Sequence, residues 1–266
     1  MELKEWCRRI LASAGGTTEA DLPGFPPAPI QERFVGRSGP AAIEEVIPFF
    51  EAIVDRASPD ADTAILDFGA GWGRIARLFQ VITTHERLYL ADVDPEALEW
   101  CRQCGVAGVP LLLEPNGVLP LSENSLDVVY SYSVFSHLAE HAARHWFAEI
   151  GRTLKPGGLF VFTTGSLRFL ELVRACHEKP NPNQFEAKIG RYMGSDPYLA
   201  IRRYQHGLHT YSDTGGGGML SGEFYGWAAI PPKWFDAEVG HLFELEAHVD
   251  DRSMSEQAVY ITRRRP

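Results

Sequence analysis

The stretch Ala64–Phe79, AILDFGAGWGRIARLF, constrains this chain more than any other. Ala64–Phe68 is a short apolar run of the length of one buried strand. After it Ile75, Leu78, Phe79 and Ile82 recur at helical spacing. Three alternating glycines, Gly69, Gly71 and Gly73, join the two. Glycine in a strand-to-helix turn lets the backbone come close to a ligand. A strand this apolar is buried on both faces, so the rest of the chain must supply neighbouring strands and covering helices.

It does so in order. Leu88–Ala91 reads as a second strand, Pro95–Gln103 as a helix opened by proline, Val109–Leu113 as a third strand and Leu126–Tyr130 as a fourth. Ala139–Leu154 reads as a helix with Trp146, Phe147, Ile150 and Leu154 inward. KPGG (Lys155–Gly158) ends it, and Leu159–Thr163 is the fifth strand. This alternation predicts a parallel sheet with helices on both faces. Near the end, Phe243, Leu245, Ala247 and Val249 alternate with Glu244, Glu246 and His248, a half-exposed strand. QAVYITR supplies its antiparallel partner.

The flanking segments are less regular. Asp21–Pro40 is rich in Pro and Gly and reads as a loop wrapping the surface. The helix after it carries Ile43, Val46, Ile47, Phe50 and Val54 on one face, with a bend at Pro48. About Gly165 to Pro232 is rich in Tyr, His and Gly, and is too long for a simple connection, so a cap or lid is expected there. The run Gly215–Gly218 reads either as a hinge for that lid or as a loop tip.

The chain has 266 residues, enough for one elaborated α/β domain or two small ones. A formal net charge of −10 disfavours a general phosphate-binding surface and hence a nucleic-acid partner. No apolar run approaches the ~20 residues of a membrane span. Leu3, Trp6, Cys7, Ile10 and Leu11 follow helical spacing with charges between them, unlike a signal peptide, so a cytoplasmic protein is expected. Cys101 and Cys104 form a CxxC inside a predicted helix with no second pair to complete a zinc site.

The chemistry of the glycine turn is set by its neighbours. A dinucleotide fingerprint would need a third glycine where Arg74 stands. Asp67, two residues before Gly69, would repel a pyrophosphate and suits an ammonium or sulfonium. At this point the sequence resembles the class I S-adenosylmethionine-dependent methyltransferases. ILDFGAGWGR resembles their first motif and YLADVDPEAL their second. EPNGVLPLSENSLDVVYSYSVFSHL resembles the adenine-side loop and fourth strand, and EIGRTLKPGGLFVFTT the late helix, turn and fifth strand. Together these cover roughly residues 34–164.

The resemblance implies a Rossmann-like α/β fold. Its sheet is seven-stranded and mostly parallel with helices on both faces, an antiparallel C-terminal strand pair, and a cap or lid inserted after the fifth strand. Residues 1–40 would be an N-terminal helix and covering loop, 41–164 the cofactor-binding core, 165–232 the acceptor-binding cap, and 233–266 a C-terminal helix and strand pair. It implies S-adenosyl-L-methionine as cofactor, with S-adenosyl-L-homocysteine as product. Asp67, Gly69, Ala70 and Gly71 would hold the methionine part and Asp92 the ribose hydroxyls. Val93 would pack on the adenine, with Asn116, Gly117 and Ser131 completing the site. Asn116 stands where the family usually has an aspartate. An amide oxygen can still accept a hydrogen bond there.

The acceptor expected is a small molecule, methylated at oxygen or nitrogen. The end of the fourth strand, YSYS, lacks the Asn/Asp-Pro-Pro-aromatic signature of nucleic-acid and protein amino-group methylators. Candidate bases are His137 in SVFSHL, and His209 and Tyr211 in YQHGLHTYSD. The latter stretch also reads as a polar loop, and its HxxHxxxD spacing lacks a third strong ligand, so no metal is expected. Asp127 reads as structural. Arg74 reads either as a salt-bridge partner or as a cofactor contact. A non-catalytic S-adenosylmethionine-binding regulatory protein with the same fold, or a different S-adenosylmethionine-dependent reaction, is the alternative.

Overall fold

The computed structural model describes residues 2–17, 19–215 and 220–266. Gly216, Gly217 and Gly218 of the expected hinge lie outside the described residues. The strands are β1 (Ile65–Phe68), β2 (Leu88–Asp92), β3 (Val109–Leu112), β4 (Leu126–Ser131), β5 (Leu154–Thr164), β6 (Thr210–Ser212), β7 (Trp227–Ala229), β8 (Phe243–Val249) and β9 (Ala258–Arg264). Seven of them form one sheet in the order β3-β2-β1-β4-β5-β9-β8, and β6 and β7 form a separate antiparallel pair. β1 pairs in parallel with both β2 and β4, while β8 and β9 are antiparallel, with an irregularity between Leu245 and Ala247. This is the Rossmann-like sheet expected from the sequence.

The chain forms two compact units, residues 1–131 with 153–160, and 132–152 with 161–266. In the first, α1 (Leu3–Ala14) buries Trp6 and Ile10. α2 (Ala28–Val35) follows, a helix inside the segment expected to be a plain loop. Prolines at its start supply the fixed φ a first helical turn wants, and Gly36 at φ 71° ends it. α3 (Pro40–Glu44) and α4 (Ile47–Ala57) replace the single bent helix, broken just before Pro48. α5 (Ala76–Phe79) is shorter than its apolar spacing suggested. Leu78 and Ile82 donate to carbonyls three residues back, Ile75 and Phe79, so the chain tightens into turns. α6 (Pro95–Gln103) is capped by the Asp94 side chain. All four residues of β1 are buried, and Phe79 stacks on Tyr130 at 5.0 Å and meets Phe50 edge-on at 4.8 Å. Each such ring contributes ~2–3 kcal/mol by leaving water.

α7 (Glu140–Thr153) runs straight into β5, so KPGG belongs to the strand, and to the first unit. Lys155 is held there by Asp127 at 2.6 Å. Asp127 also accepts the Ala64 N–H at 2.9 Å, tying the start of β4 to the entry of β1. The segment after β5 holds α8 (Leu167–Glu178), α9 (Gln184–Ile189) and α10 (Pro197–Gln205). They share a core of Leu170, Val173, Cys176, Ile189, Met193 and Tyr204. α11 (Pro232–Val239) places Phe235 against Phe162 and Tyr260. No helix among the described residues is long and apolar enough to cross a membrane.

Candidate functional site

The glycine turn leaves the carboxyl end of β1 and is held from beneath by β2. The N–H groups of Gly69 and Ala70 both donate to the Ala91 carbonyl, at 2.8 and 3.0 Å. The Gly71 N–H donates to Asp92 Oδ2 at 2.8 Å, and the Gly73 N–H to the Ala70 carbonyl at 2.9 Å. These donors are therefore committed to the protein itself. What the turn offers a ligand is oxygen, from carbonyls and carboxylates. That set suits hydroxyls and cations and disfavours phosphate. Gly73 could be no other residue without cost. Its φ is 74°, and an added Cβ would lie 2.7 Å from Val106 Cγ1.

Asp67 is 2% exposed, and its Oδ2 has no hydrogen-bond partner. Burial raises its pKa to about 7, helped by the charge of Asp92. Tyr130, Arg74 and the Ala76 N–H temper the rise. A dry carboxylate oxygen with nothing donating to it is a site for a cationic or hydroxyl donor. Asp92 is raised too, chiefly by burial. Its Oδ1 accepts the Asp94 N–H at 2.9 Å while Oδ2 takes Gly71. Each oxygen keeps a second lone pair for an outside hydroxyl.

Ser131 is fully buried, and its hydroxyl donates to the Phe68 carbonyl at 2.9 Å, joining the ends of β4 and β1. Asp67, the turn, Asp92, Val93 and Ser131 thus gather at the carboxyl ends of three adjacent strands. Asn116 and Gly117 lie on the turn beyond β3. There Asn116 is exposed at φ 58°, and the Gly117 N–H donates to the Glu114 carbonyl at 2.8 Å.

Two residues that the sequence reading passed over sit behind the turn. Trp72 is fully buried with its indole N–H unpartnered. Arg77 is fully buried as well, and burial lowers its pKa to about 10. Arg74, three residues earlier, is a salt-bridge partner, meeting Glu45 at 2.8 Å. In front of the turn, a Cβ added to Gly71 would lie 3.9 Å from the Phe34 ring, so α2 passes directly over it. Arg33 covers the Phe34 ring at 4.8 Å and pairs with Glu96 at 2.7 Å.

The acceptor-side candidates belong to the second unit. His137 Nδ1 lies 2.7 Å from the Gly226 carbonyl. A carbonyl only accepts, so Nδ1 carries the proton and Nε2 the lone pair. The ring stacks on Tyr225 at 4.8 Å and tilts against Trp227 at 4.6 Å, and burial lowers its pKa to about 4. His209 is 2% exposed, and neither ring nitrogen has a partner. Burial lowers it to about 4, and its ring meets Trp234 edge-on at 5.3 Å. The Tyr211 hydroxyl donates to the Gly222 carbonyl at 2.7 Å. Beyond β4, Ser133 holds a left-handed φ of 61°. Its N–H donates to Thr163 Oγ1 at 2.7 Å and its hydroxyl accepts from Gln257 at 2.8 Å. Sequence spacing gives no sign of this strained serine.

Comparison with known proteins adds an independent line. Residues 66–162 match the family model of a methyltransferase domain. Over that stretch the chain is similar to methyltransferase domains. The chain is 28% identical over 130 residues to the malonyl-[acyl-carrier protein] O-methyltransferase of Hahella chejuensis, covering 48% of this chain and 46% of that one. The chain thus spans about half the length of that curated relative. The methyltransferase fold extends further. The PH0226 protein of Pyrococcus horikoshii aligns over 85% of this chain and 90% of its own, with a TM-score of 0.55 at 15% identity. An S-adenosylmethionine-dependent methyltransferase of Mesorhizobium loti covers 83% of this chain and 98% of its own, with a TM-score of 0.52 at 18% identity. The cofactor of this class, S-adenosylmethionine, carries an ammonium and two ribose hydroxyls, the groups the oxygen-rich turn suits.

Proposed function

We propose that the protein transfers a methyl group from S-adenosylmethionine to an oxygen or nitrogen of a small-molecule acceptor. The observation that carries this reading is the buried Asp67 and the half-buried Asp92 beside a turn in which the N–H groups of Gly69, Ala70, Gly71 and Gly73 are spent. Asp67 Oδ2 has no donor within the protein and would accept from the ammonium, and Asp92 has lone pairs for the ribose hydroxyls. Gly69, Ala70 and Gly71 shape the floor beneath the methionine part. Val93, Asn116 and Gly117 flank the adenine, and Ser131 fixes the strand ends beside it.

When bound, the cofactor supplies an activated methyl on a sulfonium, so the chain's task is to align a nucleophile, exclude water and take up a proton where the acceptor has one. α2, with Phe34 over Gly71, covers the cofactor. His137 is the favoured proton acceptor, because the carbonyl at Nδ1 fixes its lone pair on Nε2. His209 and Tyr211 take supporting positions in the acceptor cap. The relative's being an O-methyltransferase makes an oxygen acceptor the first to try.

The test is release of S-adenosylhomocysteine with a panel of carboxylates, hydroxyls and amines, free and carrier-linked. Turnover on any member, lost or lowered at least tenfold in His137→Ala with cofactor affinity kept, supports the reading. Tight cofactor binding with no turnover across the panel favours a regulatory binding protein instead.

A further inference from the structure

Arg77 is a cation buried without a counter-charge. Among the described residues no carboxylate lies within ion-pair distance of it, whereas Arg74, also buried, is paired with Glu45. Its guanidinium is satisfied by backbone alone. Nε donates to the Gly73 carbonyl at 3.1 Å, Nη1 to the Gly24 carbonyl at 2.8 Å and Nη2 to the Trp72 carbonyl at 3.4 Å. Its two ring neighbours are Phe25, 4.1 Å from the guanidinium carbon to the ring centre, and Trp72, 4.8 Å. The Arg77 carbonyl in turn accepts the Trp6 indole N–H at 2.9 Å.

These partners fall into two groups. Trp72 and Gly73 belong to the cofactor turn. Gly24 and Phe25 belong to the N-terminal segment, only two residues before α2 opens at Ala28. Gly24 is gripped from both sides, since its N–H also donates to the Cys104 carbonyl at 2.7 Å. From this anchor the chain runs through Pro26 and Pro27 into α2, whose far end lays Phe34 over Gly71. The planar five-donor fork of arginine is the one side chain able to hold three carbonyls and face two rings at once.

We propose that Arg77 is a positioning residue that couples the covering segment to the cofactor turn. By holding the Trp72 and Gly73 carbonyls it fixes the 72–73 and 73–74 peptide planes, just downstream of Gly71, whose N–H orients Asp92. By holding Gly24 and Phe25 it fixes the root of α2. Loosening the segment at its root therefore loosens the turn, and a cofactor that orders the turn also orders the segment. This rests on the turn being the S-adenosylmethionine site.

The test compares wild type, Arg77→Lys and Phe25→Ala by calorimetric titration with S-adenosylhomocysteine, and by amide hydrogen exchange of residues 21–36 with and without it. Lysine keeps the charge but neither the fork nor the stacked plane. Expected for Arg77→Lys are at least tenfold weaker binding, faster exchange across residues 24–36 in the free protein, and loss of most of the protection that the ligand gives that segment. A purely structural role would lower the melting temperature, leave affinity within twofold and keep the ligand-induced protection. That result overturns the proposal. If Arg77→Lys fails to fold, Phe25→Ala decides, since it spares all three carbonyl bonds. Affinity lowered severalfold with faster exchange supports coupling, and both unchanged overturns it. If the wild type binds no S-adenosylhomocysteine, the cofactor reading itself fails. Exchange in the free proteins still shows whether Arg77 holds the segment.

Discussion

The residue that most sharply ties chemistry to position is Asp67. Its carboxyl is held near pKa 7 by burial, so in the free protein it is largely protonated below neutrality. A ligand ammonium beside it favours the charged form and lowers that pKa. Binding below pH 7 must then expel a proton. Affinity for S-adenosylhomocysteine is expected to rise up to tenfold per pH unit as pH climbs toward 7, and to level off above it. Calorimetry in two buffers of different ionisation enthalpy reads the proton release directly. Asp67→Asn is expected to bind more weakly and with a flat profile between pH 5.5 and 7.5. A sloped profile in the variant would place the titrating group elsewhere. That Asp67 and Asp92 stand at the carboxyl ends of adjacent strands was legible in the sequence, because each closes an apolar run. The burial that makes Asp67 unusual was not, since it depends on the neighbouring strands that pair with β1 on both sides.

At the scale of elements, the strands were readable from their apolar runs, because burial on both faces leaves little choice of residue. The covering segment was not. Its helix α2 depends on prolines that sequence rules read as loop signals but that also begin helices. Arg77 was hidden because one of its carbonyl partners, Gly24, lies 53 residues away in the sequence. The far end of α2 is tied to α6 by the Arg33–Glu96 pair, about half exposed on both sides. Such pairs contribute about 1 kcal/mol or less and are screened by salt. Arg33→Glu is therefore expected to speed S-adenosylhomocysteine release severalfold with little change in melting temperature. Adding Glu96→Arg should restore it. Stopped-flow dissociation at low salt is the measurement, and the difference should fade in 1 M salt.

For the whole molecule, stability against pH has two opposed contributions. Asp67, raised from 3.8 to about 7, binds a proton in the folded state that the unfolded chain has already lost. It makes the free protein less stable as pH rises through that window. His137 and His209, lowered from 6.5 to about 4, do the reverse, and their contribution is lost as pH falls from 6.5 toward 4. A shift of that size corresponds to about 3 kcal/mol per histidine at the acid end. His209→Leu removes a buried ring with no hydrogen-bond partner. Its melting temperature is expected to fall less steeply than wild type between pH 6.5 and 4.5. An unchanged slope would mean that His209 is charged in the fold. Overall architecture was the most legible feature of all, because four ordered motifs fix the strand order around the glycine turn. The segment after β5 was the least, because its short helices bury a shared core with few repeating positions.

The most direct test of the account is calorimetric titration of the wild type and Asp92→Ala with S-adenosylhomocysteine, with NADH as the competing ligand. Asp92 holds the turn through Gly71 and leaves lone pairs for two ribose hydroxyls. Micromolar binding of S-adenosylhomocysteine by the wild type, weakened at least tenfold in a folded Asp92→Ala and with no NADH binding, is the predicted result. NADH binding with none for S-adenosylhomocysteine would contradict the assignment of the glycine turn and of everything built on it.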